Sequence, residues 1–313
     1  MPIFDLQGHR GACGHKPENS LPSFEIAFDL GVSSVETDVH LTRDGVPILI
    51  HDAFLSDHLY RLVASNDAPE AAARCPLVSA LTLAQIRCYR ADRNPDLRRF
   101  PCQEASPTPL AILYASHHGL DPFSPATLTD LFEFAKVYEG ALGIRAGKTA
   151  TQQMRVRQIR FDLELKRVPY RPETIGDEFN GTDPARLERE VVRAIQTAGM
   201  LERAQVRSFD HRAVRAVRHL EPRLTAAVLV AETAPVVPLV LVQQAQAQIY
   251  CPDFRFLDRV QVEQLHSCGI RVVPWTVNEK EDWLRLLAWD VDGITTDYPD
   301  RLAELLRERG IPF

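Results

Sequence analysis

Residues 35–52 read VETDVHLTRDGVPILIHD, and this stretch decides how the chain must fold. Side chains alternate across a strand, so Glu36 and Asp38 share one face while Val35 and Val39 share the other. Inside a packed interior two such acids repel and lose hydration. At the open C-terminal rim of a parallel barrel they are tolerable once a cation neutralises them. The interval from Asp38 to His51 is too short for the crossover helix a parallel neighbour requires. The chain is therefore expected to turn at Asp44-Gly45 and return extended, carrying His51 back to the rim that holds Glu36 and Asp38.

Working outward, strand-like and helix-like runs alternate along the chain. A strand at 3–6 leads into GHRG. The segment SLPSFEIAFDLG follows as a helix, with Ser20 as its cap and Gly31 as its stop. VPILIH, RQIRFDLELK, AQVRSF, RLTAAVLV, RVVPWTV and DGITTD read as further strands. Helices are expected in ATLTDLFEFAKVYEG, capped by Thr127 with Asp130 three residues on, and in DPARLEREVVRAIQTAG, capped by Asp183. Counting VPILIH, eight strand candidates alternate with helices, which points to a closed α/β barrel in a single domain spanning 1–313. GHRGACG does not fit the G-x-G-x-x-G loop of an open doubly wound sheet. The pattern loosens at 53–124, read as one insertion on the C-terminal face.

Composition narrows the function. A net charge of −6 and a pI near 5.9 argue against nucleic acid and against a polybasic membrane contact. Cys13, Cys75, Cys88, Cys102, Cys251 and Cys268 form no C-x-x-C pair, so no zinc knuckle or redox motif is indicated. The most apolar stretch, 225–242, is broken by Glu232, Pro235 and Pro238 and is too short for a membrane span. No leader is visible, and a removed one would leave the same picture. A soluble protein of the cytoplasm or periplasm is expected, its compartment and oligomeric state open.

The chemistry follows from what meets at the rim. In FDLELK, Asp162, Glu164 and Lys166 share a face, so a third carboxylate and a cation join Glu36 and Asp38. A hard divalent ion, Mg²⁺ or Ca²⁺, suits such oxygen ligands. His9 ends the first strand and His51 the return, and two histidines there fit acid and base roles near neutral pH. Arg10 and Lys166 supply charge for an anion, Arg in the forked geometry that phosphate prefers. Together these describe metal-assisted phosphodiester cleavage of a small molecule.

HRGACGHKPENS followed by ETDVHLTRDGVPILIHD resembles the glycerophosphodiester phosphodiesterase family, and the likeness continues through LELK, VRSFD, VVPWTVN and VDGITTDYPD. The resemblance implies a TIM (β/α)8 barrel and cleavage of glycerophosphodiesters to glycerol 3-phosphate and an alcohol, with Mg²⁺ or Ca²⁺. It implies His9 and His51 as the acid–base pair and Glu36, Asp38 and Glu164 as metal ligands. Arg10 and Lys166 would grip the phosphate, Glu18 and Asn19 would brace or line the site, and Trp275 would wall the alcohol pocket. Two departures stand out. Cys13 lies near the rim and is read as a passive small residue, and Asp290 occupies a common glycine position. The insertion's Arg74, Arg87, Arg90, Arg93, Arg98 and Arg99 suit either a lid or a solvated loop paired with acids. One rival is a phospholipase D-like enzyme on intact phospholipids, which would expose apolar loop tips such as Phe54, Leu55, Leu59 and Tyr60. The other is a catalytically silent binding protein on the same barrel.

Overall fold

The computed structural model describes residues 3–63 and 75–313; Arg74 lies outside them. Its strands are β1 (Asp5–Gly8), β2 (Ser34–Leu41), β3 (Pro47–Leu49), β4 (Arg61–Leu62), β5 (Tyr89–Arg90), β6 (Arg160–Leu165), β7 (Ala204–Ser208), β8 (Thr225–Val230), β9 (Ile249–Pro252), β10 (Arg271–Val272) and β11 (Gly293–Thr296). Eight of them run parallel in the order β10-β9-β8-β7-β6-β2-β1-β11. The sheet closes where the Asp292 amide donates to the Val272 carbonyl at 2.9 Å and the Thr295 amide to the Pro274 carbonyl at 3.1 Å. The result is a nearly closed barrel of the TIM type.

The expected count of eight contains one substitution. VPILIH is not a barrel strand: β3 pairs antiparallel with β2, Val39 facing Leu49, as the short Asp38–His51 interval demands. The eighth barrel strand is β9, whose four residues follow a polar QAQAQ run, end in Pro252 and carry no alternation to read. The helix assigned to DPARLEREVVRAIQTAG also starts later, at Arg186, with Ala185 as its cap. Asp183 instead belongs to a turn in which Asn180 Oδ1 accepts the amides of Thr182 and Asp183. Helix ends with stronger chemistry stand as read. Ser20 accepts from the Ser23 amide, Thr127 and Asp130 form a reciprocal capping box, and Gly31 adopts the left-handed φ of 71°.

Strand faces turned outward, with the inner faces of the helices, build the main core, including Phe24, Phe28, Phe132 and Phe134. Residues of the 53–124 segment, among them Leu55, Tyr60, Val78 and Ile86, build a smaller core against Ile48 and Ile50. Leu55, Leu59 and Tyr60 are therefore buried, not exposed loop tips, because each fills this second cluster. Among the described residues no helix is long and apolar enough to cross a membrane.

Candidate active site

The chain leaves β1 at Gly8 and folds tightly over 9–19 before the helix Leu21–Leu30. That loop is demanding. Arg10 (φ 48°), Gly11 (φ 88°) and Asn19 (φ 53°) are all left-handed. A Cβ on Gly11 would come within 2.5 Å of Ser23 Oγ. That hydroxyl accepts from the Ala12 amide at 2.9 Å and donates to the Arg10 carbonyl at 2.8 Å. Left-handed non-glycine residues cost on the order of 1–3 kcal/mol each and persist where surrounding contacts enforce them.

The register of β2 against β6 sets Asp38 beside Glu164 and Glu36 beside Asp162. Glu36, Asp38 and Glu164 are buried, and each brings an oxygen within 4.8 Å of the others. Cations surround them. Lys166 Nζ lies 2.6 Å from Glu164 and 3.2 Å from Asp38, Arg10 Nε lies 3.2 Å from Asp38, and Arg207 Nη2 lies 3.0 Å from Glu36. Burial by itself would raise the Asp38 carboxyl, yet the charges of Lys166, Arg10 and His51 and the Asn19 hydrogen bond hold it well below the usual range. Burial pulls the Lys166 ammonium down, but Glu164 and Asp38 outweigh it and its pKa is raised.

Both predicted histidines arrive at this cluster. His9 Nδ1 lies 2.5 Å from Asp297 Oδ1, which leaves Nε2 turned toward Glu36 at 3.8 Å. His51 Nδ1 lies 2.7 Å from Asp52, and the Ile50 amide ties this end of the return to the Asp38 carbonyl at 3.1 Å. In each ring a carboxylate engages Nδ1. Asn19 donates to Asp38 Oδ2 at 2.9 Å and accepts from the Thr37 hydroxyl at 2.7 Å, and Glu18 accepts from Arg10 Nη1 at 2.6 Å. Trp275 is half-buried. Its indole donates to the Cys251 carbonyl at 2.9 Å and stands edge-on to Phe209, ring centres 5.4 Å apart. A separate cavity of about 810 Å³ at the opposite mouth, beside Phe4, Arg160 and Arg271, holds none of these residues.

The model of the glycerophosphoryl diester phosphodiesterase family matches residues 9–301, which include every one of these side chains. The chain belongs to the glycerophosphoryl diester phosphodiesterase family. It shares 25% identity over 302 residues with a glycerophosphodiester phosphodiesterase of Caldanaerobacter subterraneus subsp. tengcongensis, covering 96% of this chain and 97% of that one. A glycerophosphodiester phosphodiesterase of Bacillus altitudinis is 26% identical with the same coverage. Among solved structures, a candidate glycerophosphoryl diester phosphodiesterase from Silicibacter pomeroyi DSS-3 superposes with a TM-score of 0.77 at 26% identity, covering 100% of this chain and 96% of that one. A phosphodiesterase of Oleispira antarctica, solved in complex with the product sn-glycerol-3-phosphate, has a TM-score of 0.69 at 19% identity, covering 97% of each chain.

Two residues of this phosphodiesterase escaped the sequence reading. Arg207, fully buried, joins Glu36 to its neighbour Asp162, 3.1 Å from the latter. Asp297 gives Oδ1 to His9 and to the Cys13 thiol (2.9 Å), and Oδ2 to Arg99 (3.1 Å) and Asn278 (2.8 Å). Both lie in quoted motifs, VRSFD and ITTDYPD, but nothing local distinguishes them from a surface arginine and a helix-capping acid.

Proposed function

We propose that the enzyme hydrolyses glycerophosphodiesters to glycerol 3-phosphate and an alcohol, with Glu36, Asp38 and Glu164 holding one divalent cation and His9 and His51 moving the protons. One observation carries the reading: three carboxylates from two neighbouring strands converge on the face toward which His9 Nε2 points. The donor set fits Mg²⁺ or Ca²⁺, since all three ligands offer oxygen. Glu36 Oε1 supports the fit, because it is buried without a well-aligned hydrogen-bond donor although Arg207 lies 3.0 Å away. When bound, such a cation lowers the pKa of a coordinated hydroxyl and draws charge from the phosphoryl group.

The residues divide the remaining work. Arg10 and Lys166 hold the phosphate through the N–H groups not engaged by Glu18, Asp38 and Glu164. One imidazole takes the proton of the attacking hydroxyl through Nε2 while the other protonates the departing alcohol. The attacking group can be the substrate's own 2-hydroxyl, giving a cyclic phosphate that water then opens. Trp275 and Phe209 wall the alcohol side. Segment 53–124 belongs to the same catalytic unit as an insertion over this face. The product bound by the Oleispira antarctica phosphodiesterase is the one this reaction would release.

The test is release of glycerol 3-phosphate from glycerophosphocholine, with and without EDTA. Chelation should abolish turnover, and His9→Ala and His51→Ala should each lower kcat by at least ~100-fold. Near-normal rates in both variants would sink the assignment. Assaying the diacyl parent alongside separates this enzyme from one acting on intact phospholipids, which offer no free 2-hydroxyl.

A further inference from the structure

Cys13 plays no part in the proposed reaction, yet its thiol sits within the hydrogen-bond network of His9. Cys13 Sγ lies 2.9 Å from Asp297 Oδ1 and 3.8 Å from His9 Nδ1, and the last two atoms are 2.5 Å apart. The three atoms are near enough that small side-chain shifts bring them to the ~2.0–2.3 Å at which zinc binds imidazole, carboxylate and thiolate. The donors also differ in kind from the oxygen-only cluster of Glu36, Asp38 and Glu164. A nitrogen, a sulfur and one oxygen favour a borderline-soft ion over Mg²⁺ or Ca²⁺.

We propose that His9, Cys13 and Asp297 form an inhibitory zinc site beside the catalytic cluster. The ion displaces the proton of the Cys13 thiol, which leaves to solvent, and takes the place of the proton on His9 Nδ1, which moves to Nε2 by exchange with solvent. Thiolate and carboxylate then balance the dication, while Arg99 and Asn278 stay on the other oxygen of Asp297. Inhibition follows from the imidazole. With zinc on Nδ1, the neutral ring carries its only proton on Nε2, so the nitrogen facing Glu36 can no longer accept one. Without zinc, burial and Asp297 keep the thiol protonated, so Cys13 is inert.

The inhibition rests on the catalytic role proposed for His9; the coordination does not, so two readouts are needed. Cys13→Ser keeps a donor toward Asp297, and its zinc-free turnover, or that of Cys13→Ala if the serine variant folds poorly, is the reference against which its own inhibition is read. Zinc, titrated against a fixed excess of the activating cation, should half-inhibit both variants only at concentrations at least tenfold higher than for wild type. Cadmium, added as a spectroscopic substitute, should give a sulfur-to-metal charge-transfer band that is weaker in either variant by one thiolate. Equal zinc sensitivity of wild type and variants would place inhibition at the carboxylate cluster and overturn the site, as would an unchanged cadmium band. Loss of the band in a preparation with no phosphodiesterase activity would uphold the site and reject the proposed reaction.

Discussion

Asp297 shows how one side chain can set the state of another. Burial alone would raise its carboxyl, yet the charge and hydrogen bond of His9, followed by Arg99 and Cys13, hold it well below the usual carboxylate range. It is therefore an anion wherever the enzyme works, and it keeps the proton of His9 on Nδ1. Its two oxygens are divided. Oδ2 is fixed by Arg99 and Asn278, so Oδ1 has one direction left, toward His9 and Cys13. Asp297→Asn should leave the fold intact and lower kcat on glycerophosphocholine by at least ~100-fold with little change in KM, since orienting carboxylates act through the imidazole they hold. Steady-state kinetics with a circular dichroism check would show this, and a variant within threefold of wild type would remove the orienting role. Reading the sequence reaches Glu36, Asp38 and His51 because strand parity and one short return place them together within 16 residues of chain. It does not reach the His9–Asp297 pair, whose members are 288 residues apart. Only barrel closure, β11 beside β1, brings them into contact.

At the scale of elements, part of the 53–124 segment is tied to the loop that follows β1. Its 96–106 portion holds the 9–19 loop at several points. Gln103 donates to the Cys13 carbonyl at 2.6 Å, the Glu104 amide to the His15 carbonyl at 3.0 Å, and Lys16 to the Ser106 hydroxyl at 2.7 Å. Tyr298, next to Asp297, donates to the Arg99 carbonyl at 2.7 Å. Arg87 and Arg90 follow the loop reading, paired with Asp130 and Asp121. Arg99 alone among the insertion's described arginines reaches a carboxylate that touches a predicted catalytic histidine. Arg99→Ala should lower kcat about tenfold, at the weak end of the range for residues acting through a ligand's partner. Arg98→Ala, exposed in the same turn, should stay within twofold. Equal effects of the two would reduce the segment to a scaffold. The elements legible in the sequence are those with a chemical end-mark, such as the helix from Leu21 to Leu30 between Ser20 and Gly31. Among those missed, β9 and the helix Pro238–Gln244 sit in runs where polar repeats or continuous aliphatics erase any period.

Across the whole molecule, the barrel interior is unusual for its polarity. Such barrels are commonly filled by branched apolar side chains. Here a chain of buried polar groups runs from the N-terminal mouth to the acid cluster. Arg160 meets Asp5, Asp5 accepts from Ser34 and Gln7, and Gln7 accepts from Thr295. Arg207 then links Asp162 to Glu36. The network ties five strands together and orients Glu36 from below, but it carries one uncomfortable member. Burial pushes Asp162 up to about 6 despite the Arg207 charge, with Glu36 adding to the rise, and its Oδ1 lacks a hydrogen-bond partner. Because the folded pKa lies above the unfolded value, this group favours the folded state fully only below the ordinary carboxylate range. That contribution is lost as pH climbs through about 6. Asp297 and Asp38 run the opposite way: their depressed values add stability above the ordinary range that disappears as pH falls. Those two are common to wild type and Asp162→Asn, so to first order they cancel in the difference between the proteins. Urea unfolding of the pair at pH 4 and pH 7 should therefore show the difference moving toward the asparagine variant by roughly 1–3 kcal/mol as pH rises. A flat difference would mean that Asp162 is ionised throughout, with Arg207 as its full counter-ion, and that the interior bears its charges without strain.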